Sequence, residues 1–193
     1  MKNTPYEAVL ARLISSTPEA ENARLVPENR LYSYLYEHSA AVFKKKTPGD
    51  FAEIETLLAT LGDMLAVSTL YRIKTYYPES EEMLRLHVYR SPLTRFSAKE
   101  RTTLEHASGA DEFIKTLSTS CYKGLVPLLK GSKAAIFTKQ YLYDVCRERF
   151  SMTSSAALCF SACVSAEADN LILLAEGICM GAKPEDMTAL LVC

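Results

Sequence analysis

Glu167-Ala168-Asp169-Asn170 interrupts an apolar helical run that continues through Leu171-Ile172-Leu173-Leu174-Ala175 to Gly177 and stops at Gly181-Ala182-Lys183-Pro184. The same outline stands roughly a hundred residues earlier, where Asp63 precedes Ala66 by three residues and Arg72-Ile73-Lys74 closes the run. Aligning the two stretches pairs Asp63 with Glu167, Ala66 with Asn170 and Arg72 with Glu176. A Thr and Tyr punctuation precedes each copy, Thr4-Pro5-Tyr6 and Thr119-Ser120-Cys121-Tyr122. Duplicated helical units stack and bury a shared core. The expected architecture is therefore all-α: stacked helical repeats forming two similar helical-bundle units, the first over residues 1–120 and the second over 121–193.

Outward from these stretches the periodicity predicts helix almost everywhere. Leu31, Tyr34, Leu35, His38, Ala41 and Val42 recur at three- and four-residue spacings, which marks one buried face of a helix over 29–46. Lys44-Lys45-Lys46 closes it, where cations favour the helix dipole. Thr47-Pro48-Gly49-Asp50 is a break with Asp50 as N-cap candidate, and the next helix runs to Tyr76 or Tyr77 before Pro78. Short helices are expected over 79–90, 97–106, 111–117 and 122–129, with Ser97-Ala98-Lys99-Glu100 as a capping box. Longer ones are expected over 134–150 and from Thr153-Ser154-Ser155 to Met180, with Gly181 as C-cap and a last helix from Pro184 to Cys193. No segment reads as a strand.

The chain has 193 residues, 48% of them hydrophobic, enough to bury a core without staples. A net charge of −1 gives no whole-chain attraction for nucleic acid or anionic lipid. Cys121, Cys146, Cys159, Cys163, Cys179 and Cys193 follow no basic-then-apolar leader, so reduced thiols in the cytosol are the better reading. The longest charge-free stretch, 150–166, falls short of the ~20 residues that a spanning helix needs, and no membrane span is expected.

Candidate chemistry fails on its requirements. A phosphate loop needs Gly-Lys-Ser/Thr after a strand, whereas Lys130-Gly131-Ser132-Lys133 has the wrong order and joins helices. Cys159 and Cys163 share a helix face with Cys179 further along, a soft-metal pattern without a His or acidic ligand beside it; packing is the better reading. His38, His87 and His106 are scattered, and no Ser sits in a nucleophile elbow. Neither metal, cofactor nor catalytic residue is expected. Tyr32, Tyr34 and Tyr36 alternate, so at least one is exposed, and exposed tyrosines suit a protein interface. Asp63 sits among Leu57, Leu58, Leu61, Leu65 and Leu70, and Arg72 lies too far along to pair with it within one helix. Asp63, Glu167 and Asn170 are expected to tie helices together by buried hydrogen bonds, with docking of a partner near Arg72 and Lys74 as the sharper alternative.

The ordered series DMLAVSTLYRIKTYYPESEEMLRLHVYR (63–90), SAKERTTLEHASGADEFIKTLSTSCYKG (97–124) and AEADNLILLAEGICMGAKPEDMTALLV (166–192) resembles the C-type subunit of archaeal and bacterial V/A-type ATPases, the relative of the eukaryotic d-type subunit. The resemblance runs from Tyr6 to Val192. Family members carry three such helical domains, so the chain reads as a shortened relative, with Ala66 where the family has Asn and Glu176 where it has Arg. What the resemblance implies is a non-catalytic central-stalk adaptor that couples ATP hydrolysis or synthesis to proton or sodium transport. Its partners would be the rotor shaft subunits and the membrane ring. It would lie at the cytoplasmic face of the membrane, held there by partners only, with no nucleic acid bound. The alternative is a free-standing helical protein-binding module derived from that subunit.

Overall fold

The structure, a computed structural model, describes residues 25–149 and 155–193. Among them the chain forms nine helices and no strand: α1 (Leu25–Lys46), α2 (Phe51–Tyr76), α3 (Glu81–His87), α4 (Ala98–Glu105), α5 (Ala110–Ser118), α6 (Leu125–Lys130), α7 (Phe137–Arg149), α8 (Ala156–Cys179) and α9 (Pro184–Thr188). Contacts divide the chain into two compact units, Met1–Phe113 and Ile114–Cys193. Thr4-Pro5-Tyr6, Phe150, Thr153 and Ser154, which the sequence reading used, lie outside the described residues.

In the first unit α1, α2 and α3 pack on one another, and α2 supplies the core through Ile54, Leu57, Leu58, Met64, Val67, Leu70 and Ile73. The buried face of α1 is not the one its apolar spacing predicts. Of that face Leu31 and Tyr34 are half-buried but Leu35, His38, Ala41 and Val42 are exposed, whereas Ala40 is buried and half-buried Tyr32 and Tyr36 turn inward. The cause is Tyr89, a fully buried ring on the extended segment after α3. Tyr32 and Tyr36, four residues apart on one face, meet it at centroid distances of 6.2 and 6.0 Å. Aromatic rings bury more area than Leu35 or Val42 can and gain from edge contacts, so they set the helix rotation. Burial, reinforced by Tyr89 and Tyr32, pushes the Tyr36 phenol up to about 12.

Helix ends follow local chemistry with three departures. Ser97 and Glu100 form the full capping box, and Gly181 adopts φ +69° past α8 while Ala182 N–H bonds Gly177 C=O, so the left-handed C-cap is real. Asp50 stands at the N-cap of α2 without a side-chain bond; its carbonyl alone starts the ladder. α7 begins at Phe137 rather than Ala134, because Ala134 and Ile136 N–H bond back three residues, to Gly131 and Lys133, in tight turns. The last helix ends at Thr188, a turn follows through Ala189 and Leu190, and 191–193 leaves the helix, held by side chains described below. Along α2, Thr56, Thr60, Thr69 and Thr75 each return a hydroxyl to the carbonyl four residues back, which satisfies them inside the helix.

Two helices among the described residues are long and apolar enough to cross a membrane by length and composition alone, where the search for a charge-free run finds none. That search required an uninterrupted run, and α8 reaches the threshold with Glu167 and Asp169 inside it. For α2, 56% of the apolar window is buried, as in the core helix of a folded domain; for α8 the share is 6%.

Gly62 lies where the extended segment crosses α2. A Cβ there would fall 2.6 Å from Ser91 Oγ and 3.0 Å from Ser91 Cβ. Ala gains ~1 kcal/mol of helix propensity, but crowding a packed contact costs about 1–3 kcal/mol. Gly62→Ala is therefore expected to lower the urea midpoint followed by far-UV circular dichroism, against the gain that propensity alone would give.

Candidate functional site

Each unit has a polar side chain in the middle of its long apolar helix that holds the backbone of a segment outside any helix. In the first, buried Asp63 accepts from Thr94 Oγ1 at 2.6 Å and from Arg95 N–H at 2.8 Å. Thr94 Oγ1 in turn accepts from Phe96 N–H at 3.1 Å, so three groups of the return segment depend on one carboxylate. Ser91 donates to Leu93 C=O and keeps the chain tight against Gly62. A charge taken from water is tolerable only when bonds to donors replace its hydration, which Thr94 and Arg95 supply.

In the second unit the holding residue is Asn170. Its Nδ2 donates to Val192 C=O at 2.7 Å, and its Oδ1 accepts from Val192 N–H at 2.9 Å. From α7, Gln140 does the same to the next residue: Nε2 donates to Cys193 C=O and Oε1 accepts from Cys193 N–H at 3.1 Å. Lys133 Nζ donates to Leu191 C=O. Successive residues of an extended chain point their peptide groups to opposite sides, so Val192 is held from α8 and Cys193 from α7. The extended end thus lies between those two helices. Beside it a groove of about 310 Å³ opens between Ile136, Lys139, Asp169, Ile172, Glu176 and Leu190.

The five positions singled out in the sequence separate here. Asp63 and Asn170 are inward clamps. Glu167 accepts from Tyr143 Oη at 3.0 Å on an exposed surface, and this bond raises the Tyr143 pKa. Arg72 is exposed, whereas Lys74 is buried and its pKa is lowered by that burial, against the pull of Glu105 and Glu112. The sequence match pairs Asp63 with Glu167, but by hydrogen-bonding role Asp63 answers to Asn170, one helical turn further on. Gln140, Lys133 and Thr94 escaped sequence reasoning. Gln140 and Lys133 meet backbone atoms of a distant segment, and Thr94 meets the Asp63 side chain 31 residues away; such long-range partners leave no pattern in residue type.

Cys146 from α7 meets Cys159 from α8; both are fully buried, and Cys163 lies one turn beyond. Burial, followed by neighbouring Cys159, pushes the Cys146 thiol up to about 12. It also raises Cys163. No group of three metal-capable side chains converges among the described residues. His38 stacks on Tyr34, and His106 Nδ1 lies 2.8 Å from Thr102 C=O in its own helix. What these arrangements do is hold polypeptide: paired donors and acceptors meet backbone, and thiols pack as small apolar groups.

A family model, ATP synthase (C/AC39) subunit, matches residues 1–190. Comparison with curated proteins and with solved structures gives no match. The chain belongs to the ATP synthase (C/AC39) subunit family.

Two outcomes follow from the clamps and thiols. Asn170 must both donate and accept, so Asn170→Asp, which loses the donor, is expected to cost about 1–3 kcal/mol, as Asn170→Ala does. Faster hydrogen exchange at the Val192 amide in both variants would show it. In a thiol titration at pH 8, exposed Cys121, Cys179 and Cys193 are expected to react at once. Cys146 and Cys159 should wait for denaturant, because both are buried out of reach of the reagent. The sign for stability follows from the raised value: unfolded Cys146 ionises near its ordinary 9.0 and the folded one near 12, so stability is lost as pH rises through that window.

Proposed function

We propose that this member of the ATP synthase (C/AC39) subunit family is a non-catalytic central-stalk adaptor of a V/A-type rotary ATPase, joining the rotor shaft subunits to the membrane ring. The family match over residues 1–190 carries the reading. The all-helical build supports it, because an adaptor that transmits torque needs bodies whose segments are cross-tied. Asp63 ties one at 94–95, and Asn170, Gln140 and Lys133 together tie the other at 191–193. The two units are read as copies of one helical bundle. Asp63 and Asn170 serve as internal ties, and exposed Arg72 and Glu167 belong to outward surfaces. The protein works at the cytoplasmic face of the membrane, held there through its partners, and passes the free energy of ATP turnover to proton or sodium movement without doing chemistry itself.

Purification of the ATPase through a tagged shaft subunit tests this. The chain is expected in the complex in fixed ratio to the shaft, and its depletion should leave ATP hydrolysis that no longer drives ion transport. Recovery of a complete, coupled ATPase lacking the chain would overturn the reading in favour of a free-standing helical binding module.

A further inference from the structure

Lys133, on the turn between α6 and α7, reaches across to residues 188–193. Its Nζ has three partners there: Leu191 C=O, Thr188 C=O at 3.5 Å and Cys193 Sγ at 3.4 Å. A tetrahedral nitrogen has three positions beyond its own carbon. Both carbonyls accept, so two of these positions carry hydrogens, and the third faces sulfur. In the ammonium that position holds a hydrogen given to Sγ. In the free amine it holds the lone pair, aimed at Sγ.

The sulfur is fixed from the other side. Gln140 donates to Cys193 C=O and accepts from its N–H at 3.1 Å, while Asn170 holds Val192 just before it. Reacting atoms held about 3–3.5 Å apart with aligned orbitals stand ready for attack. Cys193 is also exposed, so a small oxidant reaches it. Cys179 is equally exposed but has no lysine within hydrogen-bonding reach among the described residues, and Cys146 and Cys159 are closed to solvent.

We propose that Lys133 and Cys193 close a reversible sulfur–nitrogen bond when the chain meets a peroxide. Hydrogen peroxide first gives one oxygen to the Cys193 sulfur, forming the sulfenic acid, and its other oxygen leaves as water. The Lys133 amine, its extra proton released to solvent, then attacks that sulfur. The S–O bond breaks, the departing hydroxide takes one hydrogen from the nitrogen, and a sulfenamide and a second water result. Sulfur has lost two electrons and the peroxide has gained them. A small thiol reverses the bond: its sulfur attacks Cys193 Sγ and frees the amine, and a second thiol reduces the mixed disulfide. While the bond lasts, the hold on 191–193 is covalent. The inference goes beyond the adaptor reading and does not rest on it.

The test treats the full chain with a small excess of hydrogen peroxide, removes the excess with catalase and reads a chymotryptic digest by mass spectrometry. Cleavage after Leu129 and Phe137 leaves Lys133 on a peptide without cysteine, so no disulfide imitates the product. The expected species joins the Lys133 and Cys193 peptides at two hydrogens below their summed mass, and dithiothreitol separates them. Lys133→Arg keeps a cation and its donors but lacks a comparable nucleophile. In that variant the joined species should fall at least tenfold while Cys193 advances to sulfinic acid. Unfolding the unaltered chain in urea before adding peroxide should have the same effect, which removes any dependence on how the variant folds. Hydrogen exchange at the Val192 amide should be slower in the joined form. Oxidation of Cys193 without joining overturns the proposal, and so does a Cys193 that stays unoxidised. Joining that is undiminished by Lys133→Arg or by urea does the same, as does a Cys193 disulfide in place of the sulfur–nitrogen bond.

Discussion

A polar side chain in the middle of an apolar helix, gripping the main chain of a segment that returns over it, is the constraint on which both units depend. Asp63 grips Thr94 and Arg95 across 31 and 32 residues, and Asn170 grips Val192 across 22. An extended segment lying on a helix has peptide groups with no ladder to join, and buried peptide groups without partners cost as much as lost hydrogen bonds. The side chains replace the missing ladder. Apolar packing then has a fixed target: Tyr89 is seated against Tyr32 and Tyr36 because the chain beyond it is tied at Asp63.

This explains how far the residues spoke for the structure. α2, α4 and α8 were legible because caps, breaks and a 3.6-residue period all act within a few residues of one another. The rotation of α1 was not, since Leu35 and Val42 make as good a stripe as Tyr32 and Tyr36 until Tyr89 is placed. The course of 191–193 was hidden for the same reason. Pro184 and its acids signal a helix, but the bonds that end it come from Gln140 and Lys133, more than fifty residues away. Of the site, Asp63 and Asn170 stood out as polar intrusions in apolar runs, whereas the likeness of their bonding was not legible, because residue type cannot show which atom a side chain bonds.

The thiols and the long helices show why exposure must be read beside identity. Cys146 and Cys159 are a core contact, while the same residue type at Cys121, Cys179 and Cys193 faces water. α2 and α8 are nearly alike in length and hydropathy, yet one is the centre of its unit and the other is clothed on one side only. A family of complex-forming subunits gives the half-clothed helix a natural meaning, for a subunit is finished only in its assembly.

The grip on residues 191–193 has one more consequence. Asn170 and Gln140 touch only main-chain atoms there, while Lys133 adds Cys193 Sγ to the Leu191 carbonyl, so the two amide side chains hold whatever residues supply those peptide groups. An imino acid at 192 or 193 removes a hydrogen that the lock requires. Relatives that keep the two amides should therefore never place proline at either position, and the buried side chain at 192 should stay apolar.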